Sequence, residues 1–231
     1  MGNAEGNIEY RKALKGFSCF ENLSQEEIDY LGDHQSIISY LKGETLCKEY
    51  GFSSGVKFIT RGLIKVYIEG PAKKNIIVKL LTSGDFIGLS SLYGTRTYSY
   101  SATTLSDSTV CMISQEAIRT LISTNNKFAL DLINWYCVSY DKAYKKLASI
   151  GFKNLAGRVA DVLLYLEQPK FKEMDIYNFL SRKDLAEMAG VPVESIVRIL
   201  SEFDKSKIIF LSGKGVTILD HDLLTRYSRG G

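Results

Sequence analysis

The sequence predicts an α+β protein with three parts: an N-terminal jelly-roll-like β-roll, a long dimerisation helix and a C-terminal winged helix-turn-helix. Three observations predict it. From 35 to 114, short runs of Val, Ile, Leu and Tyr are broken by Gly43, Gly51, Gly55, Gly62, Gly70-Pro71 and Gly84, the pattern of strands and turns. From 128 to 150 there is no Pro or Gly, and apolar residues recur at heptad spacing. From Ser181 to Leu200, two short amphipathic segments flank Gly190. The expected domains are 1–124, 125–150 and 151–231. With 231 residues, 45% apolar and 11% aromatic, the chain can bury a sizeable core, and disorder is not expected.

Taken in order, residues 8–20 read as a short helix with Phe17 and Phe20 on one side. Ser24-Gln25-Glu26-Glu27 is a capping box, with Leu23 placed to staple onto Ile28. Gly62 and Gly84 are read as turn glycines with positive φ. A short helix is expected over 115–123. In the long helix, Ala129, Ile133, Tyr136, Tyr140, Ala143, Leu147 and Ile150 form an a/d seam for a second copy of the chain. Leu130, Leu132 and Trp135 give a second apolar side for the β-roll. Gly151–Asn154 is the expected hinge, 155–166 a helix with Arg158 near its start, and 168–174 a polar link. The tail from 220 is expected to fray.

Ser181 can cap a helix with Asp184 three residues on, Gly190 supplies a turn, and Pro192 suits a helix start. In the second helix Ile196, Ile199, Leu200 and Phe203 face inward. Val193, Glu194, Val197 and Arg198 are left outward near its start, as in a recognition helix for the DNA major groove. Arg can donate two hydrogen bonds to guanine, and Glu can accept from cytosine N4. The runs 208–211 and 216–219, joined by Ser212-Gly213-Lys214-Gly215, read as a wing hairpin. Bulk charge does not argue for DNA, since from Gly151 onward twelve Lys and Arg face eleven Asp and Glu. The positive groups are instead clustered: Arg182, Lys183, Arg198 and Lys214 fall on the contact elements, where Arg182, Lys183, Ser195 and Lys214 would hold phosphates.

This order of motifs resembles the Crp/Fnr family of bacterial transcription regulators: the Arg158 helix, Ser181-Arg182-Lys183-Asp184-Leu185-Ala186, Gly190, Glu194-Ser195-x-x-Arg198, then a wing. The resemblance extends upstream through Lys42-Gly43-Glu44, Arg61-Gly62-x-x-Lys65-Val66 and Ser83-Gly84-Asp85-Phe86-Ile87-Gly88. It implies a homodimer on pseudo-palindromic double-stranded DNA, a small-molecule effector, and RNA polymerase as a partner if the protein activates. The segment 193–198 is similar to the Fnr branch, whose Glu and Arg read a TTGA-type half-site. Val197 departs from that branch, which has a small polar residue there. Val197 could touch a thymine methyl.

Members of the family that bind cyclic AMP hold its phosphate with an Arg-Ser or Arg-Thr pair and its ribose with a Glu. Here Leu89 stands in the place of that Glu after Gly88, and Tyr98-Ser99 in the place of the Arg pair. A shorter loop would put the pair at Arg96-Thr97. Ala143 and Tyr144 replace the polar residues that meet adenine. Cyclic AMP is therefore not the expected effector. Gly88, Leu89, Ser90, Ser91, Tyr136, Tyr140 and Tyr144 are candidate pocket residues.

Cys19, Cys47, Cys111 and Cys137 are widely scattered and read as reduced thiols, without the close spacing an iron–sulfur cluster requires. Haem through Cys or Met stays open; of the two histidines, His34 reads as a surface residue and His221 lies in the other domain. No nucleophile–base or metal-ligand constellation appears, so an enzyme is not expected. No secretory h-region or apolar run of spanning length is present, so a cytoplasmic protein without membrane contact is expected. The competing reading is a metabolite- or nucleotide-binding regulatory module that acts on a protein partner without binding DNA.

Overall fold

The computed structural model describes Leu14 and residues 16–230. It forms two compact units: the chain up to Lys65 with Leu80–Asp141, and Val66–Lys79 with the chain from Lys142 onward. The helix expected over 8–20 lies outside the described residues up to 13. Beyond them, Phe17 and Phe20 sit in hydrogen-bonded turns (Phe17 N to Leu14 O, Phe20 N to Phe17 O) and still present their rings to the core.

Helix α1 (Gln25–Asp33) starts at the capping box. The Ser24 hydroxyl accepts from Glu27 N at 3.2 Å, and the Glu27 carboxylate accepts from Ser24 N at 2.8 Å. Eight strands follow: β1 (Gln35–Tyr40), β2 (Thr45–Cys47), β3 (Val56–Arg61), β4 (Ile64–Ile68), β5 (Ile76–Leu81), β6 (Phe86–Ile87), β7 (Ser101–Thr104) and β8 (Ser108–Ile113). They form two four-stranded sheets, ordered β1-β8-β3-β6 and β2-β7-β4-β5. Gly62 and Gly84 take φ of 111° and 91° at the turns.

Side chains alternate across a strand, and β3 uses both of its faces. Phe58 points to one side, where the rings of Phe17, Phe20 and Phe86 lie 4.8, 4.8 and 4.9 Å away. Ile28, Leu31, Ile118, Leu121, Phe128 and Leu132 complete that core, with Trp135 against it. They come from α1, from α2 (Gln115–Thr124) and from the first turns of α3 (Asn126–Phe152). Lys57 lies on the opposite face of β3.

Two expectations for α3 need correction. Leu130 is exposed, and Phe128 takes its place with Leu132 and Trp135 on the β-roll side. The break falls at Lys153–Asn154: Lys153 N still bonds Ser149 O, so Gly151 is helical. Asn154 then caps the next helix by accepting from Gly157 N at 2.9 Å.

The second unit contains α4 (Leu155–Leu166), α5 (Pro169–Lys172), α6 (Arg182–Ala189), α7 (Val193–Lys205), the hairpin β9 (Ile209–Ser212) and β10 (Gly215–Ile218), and α8 (His221–Gly230). The expected polar link contains α5, because Phe171 is fully buried and anchors it. The tail does not fray. Leu224 is fully buried, and the Ser228 hydroxyl donates to Asp161 of α4 at 2.5 Å. The core lies among Val159, Leu163, Leu185, Met188, Ile199, Leu200 and Phe203.

Candidate nucleic-acid interface and effector pocket

Local chemistry builds the reading helix. Ser181 and Asp184 form the capping box of α6. Gly190 then takes φ of 64°, a left-handed conformation that L side chains adopt at a cost. A Cβ there would meet Ile150 at 3.6 Å, an ordinary van der Waals contact, so the backbone conformation alone favours glycine. Pro192 is the N-cap of α7, one position earlier than the helix start it was expected to fill. Ile196, Ile199, Leu200 and Phe203 are buried. Val193, Glu194, Val197 and Arg198 are exposed together, with Ser195 half-buried beside them.

Arg198 pairs with Glu202 at 3.0 Å and not with Glu194, although both acids lie one helical turn away. Among the described residues Glu194 has no hydrogen bond or ion pair, so both of its oxygens can accept from a partner. Lys183 lies 3.7 Å from Glu187 and is mostly exposed. Arg182 is turned inward, toward the wing, donating to Gly213 O at 3.1 Å and Lys214 O at 3.4 Å. The wing pairs Ser212 with Gly215, leaving Gly213-Lys214 as a two-residue loop with Lys214 exposed at the tip. Asp204 near the end of α7 accepts from Leu211 N at 2.9 Å. The wing is thus fastened at its tip to α6 and along β9 to α7.

The proposed dimer seam is an apolar stripe in water. Ile133, Tyr136, Tyr140 and Leu147 are 57%, 47%, 54% and 66% exposed, and Ala143 is exposed with them. Ala129 and Ile150 are half-buried, Ile150 beside Gly190.

The candidate effector residues divide. Gly88, with φ of 88°, donates its amide to the Tyr100 hydroxyl at 3.1 Å. Leu89–Leu92 is a 3-10 turn in which Leu89 is half-buried and Ser90 exposed. Ser91 is buried and spends its hydroxyl on Gly88 O at 2.6 Å and Ser53 at 2.9 Å. Arg96, Thr97 and Ser99 are exposed, and Tyr140 and Tyr144 are exposed on α3. Tyr98 is buried, and its hydroxyl accepts from the Lys57 ammonium at 2.7 Å. The structure therefore brings Gly88 and Tyr98 inward and adds four residues the sequence reading had not singled out as sites: Lys57, Tyr40, Cys47 and Tyr100. The one available signal was a lysine inside the apolar run Val56–Ile59, on the same strand face as Ile59.

Burial dominates the electrostatics of this cluster. It pushes the Cys47 thiol up to about 11, with Lys57 pulling the other way. It also raises the Tyr40 phenol, again opposed by Lys57, and the Tyr100 phenol, opposed by the Gly88 amide.

A β-roll joined in one chain to a winged helix-turn-helix is the architecture of a transcription regulator. Residues 37–125 match the cyclic nucleotide-binding domain, and residues 157–227 match the Crp-like helix-turn-helix domain. The chain belongs to the Crp/Fnr family, whose members are transcription regulators and not enzymes and bind DNA as dimers. It is similar to the CRP-like cAMP-activated global transcriptional regulator of Mycobacterium tuberculosis, with 23% identity over 91% of this chain and 96% of that protein. It is also similar to the fumarate and nitrate reduction regulatory protein of Vibrio cholerae, at 27% over 78% of this chain and 73% of that protein. The structure of FixK2 from Bradyrhizobium japonicum shares the fold, with a TM-score of 0.71 and 21% identity over 84% of this chain and 96% of that one. Among the described residues, no helix is long and apolar enough to cross a membrane.

Proposed function

We propose that the chain is a cytoplasmic homodimer that binds a pseudo-palindromic promoter site under the control of an effector other than cyclic AMP. The supporting observation is the outward cluster at the start of α7: Val193, Glu194, Val197 and Arg198 exposed over a buried apolar face. Arg198 and Glu194 read base edges, and Val193 and Val197 supply apolar contact to a thymine methyl. Lys183, Ser195 and Lys214 hold phosphates. Arg182 sets the wing and adds its charge to the same backbone. The seam from Ala129 to Ile150 joins two copies and sets two α7 helices for half-sites one helical turn apart. On this reading the domains are 1–124, 125–150 and 151–231, and RNA polymerase is a partner if the protein activates.

Cyclic AMP does not suit the residues present. Tyr98 stands where a phosphate-binding Arg is needed, Leu89 offers no acceptor to a ribose, and the Gly88 amide is already held by Tyr100.

The test is DNA site selection followed by fluorescence anisotropy across a salt series. Affinity for the selected site falls linearly on a log–log plot with salt. Arg198→Ala costs about 1–3 kcal/mol and relaxes the preference at one base pair. Unchanged affinity and specificity in that variant would remove Arg198 from the reading face. No salt-sensitive binding at all would favour a module acting on a protein partner.

A further inference from the structure

Lys57 is 4% exposed. Its ammonium has one hydrogen-bond acceptor, the neutral hydroxyl of Tyr98, and sits 5.1 Å from the centre of that ring. Among the described residues no carboxylate pairs with it. Burying an ammonium is costly, and a single hydrogen bond to a neutral hydroxyl offsets only part of that cost. The surrounding groups do not close that gap. Tyr40, Cys47 and Tyr100 are held neutral at pH 7, because burial raises the pKa of each. Glu44, which acts on Tyr40, is exposed and spends its carboxylate on the Leu41 amide at 2.7 Å. Among the described residues, the interior of the β-roll therefore carries one cation, two ammonium protons without acceptors, and no buried anion.

We propose that Lys57 is the receptor for the carboxylate or phosphate group of a small anionic effector, and that the Tyr98 hydroxyl fills this place until the effector displaces it. The proposal rests on the reading of the β-roll as an effector domain and names the chemistry it senses. The cation comes from the β3 wall and not from the 96–99 segment. Tyr98 is one residue from exposed Thr97 and exposed Ser99, so its ring is a lid one side chain deep. When an oxyanion takes the ammonium, the Tyr98 hydroxyl loses its partner and the ring is free to turn away, while backbone bonds to residues 50–53 keep the segment in place. That gives the effector a differential contact with two states, which a population shift requires.

Two variants of the full chain test this with opposite signs. Thermal unfolding would be followed against inorganic phosphate, acetate and succinate, each at constant ionic strength with chloride as the control. The wild type shows a saturable rise in Tm with at least one of these anions, and Lys57→Met loses it. Tyr98→Phe keeps the site and removes the internal competitor, so half-saturation falls roughly two- to tenfold. Response to phosphate alone, or to the carboxylates alone, identifies the head group. A purely structural Lys57–Tyr98 contact predicts destabilisation in both variants and no anion response. Absence of a saturable effect in both wild type and Tyr98→Phe overturns the proposal, as does an effect that survives Lys57→Met. Salt-dependent DNA binding by the same preparation, measured beside it, shows whether the regulator reading stands when this one falls.

Discussion

Arg198 and Lys57 are both cations on regular elements, and solvent treats them in opposite ways. Arg198 stands in water on α7, paired with a Glu202 that is itself more than half exposed. Such a pair contributes little, about 0.2–1 kcal/mol, so the guanidinium can be handed to a base at small cost. Lys57 is enclosed by the β-roll, where solvent gives no help and a tyrosine hydroxyl is its one acceptor. The lesson is about where recognition energy is stored. The outer face of α7 keeps its charges solvated, whereas the β-roll encloses one, and on the proposed reading an anion would relieve it.

Three substitutions sharpen or break that contrast. The largest effect is expected from Phe58→Ala, which removes the ring at the centre of the Phe17, Phe20 and Phe86 cluster. A loss of about 3–5 kcal/mol is expected in chemical denaturation. A loss below 1 kcal/mol would mean that this face does not anchor the β-roll. Next is Ser181→Ala, which unmakes the capping box of α6 and costs about 0.5–2 kcal/mol. Hydrogen exchange should locate that loss in α6 and the turn after it; a loss spread over the β-roll instead would contradict the local account. The smallest is Glu202→Ala. It frees Arg198 and changes stability by about 0.3–0.5 kcal/mol. DNA affinity should hold or rise, and a tenfold fall would show that Glu202 orients the guanidinium.

The helix-turn-helix was legible because its determinants are local. Ser181, Asp184, Gly190 and the 196–199–200–203 stripe lie within a few turns of one another, and each residue type has a single physical reading there. The end of α3 was read less well. Gly151 drew the hinge toward itself, but a glycine in a last helical turn need not break it, and the Asn154 cap three residues on sets the boundary. The tail looked polar and loose because one buried leucine, Leu224, does the anchoring. The effector cluster was the least legible part. Lys57 and Tyr98 are 41 residues apart and meet because the loop holding Tyr98 returns against β3. Periodicity shows which face a residue takes, not what stands opposite.

Arg158 was noted in the sequence only as a basic residue near the start of α4. In the structure its Nε donates to Lys153 O at 2.8 Å and its Nη1 to Gly190 O at 3.4 Å. One side chain thus ties the first residue past the long helix to the turn before α7. In mechanical terms it is a cotter pin: one guanidinium pins the joint at 153–154 to the turn that precedes α7.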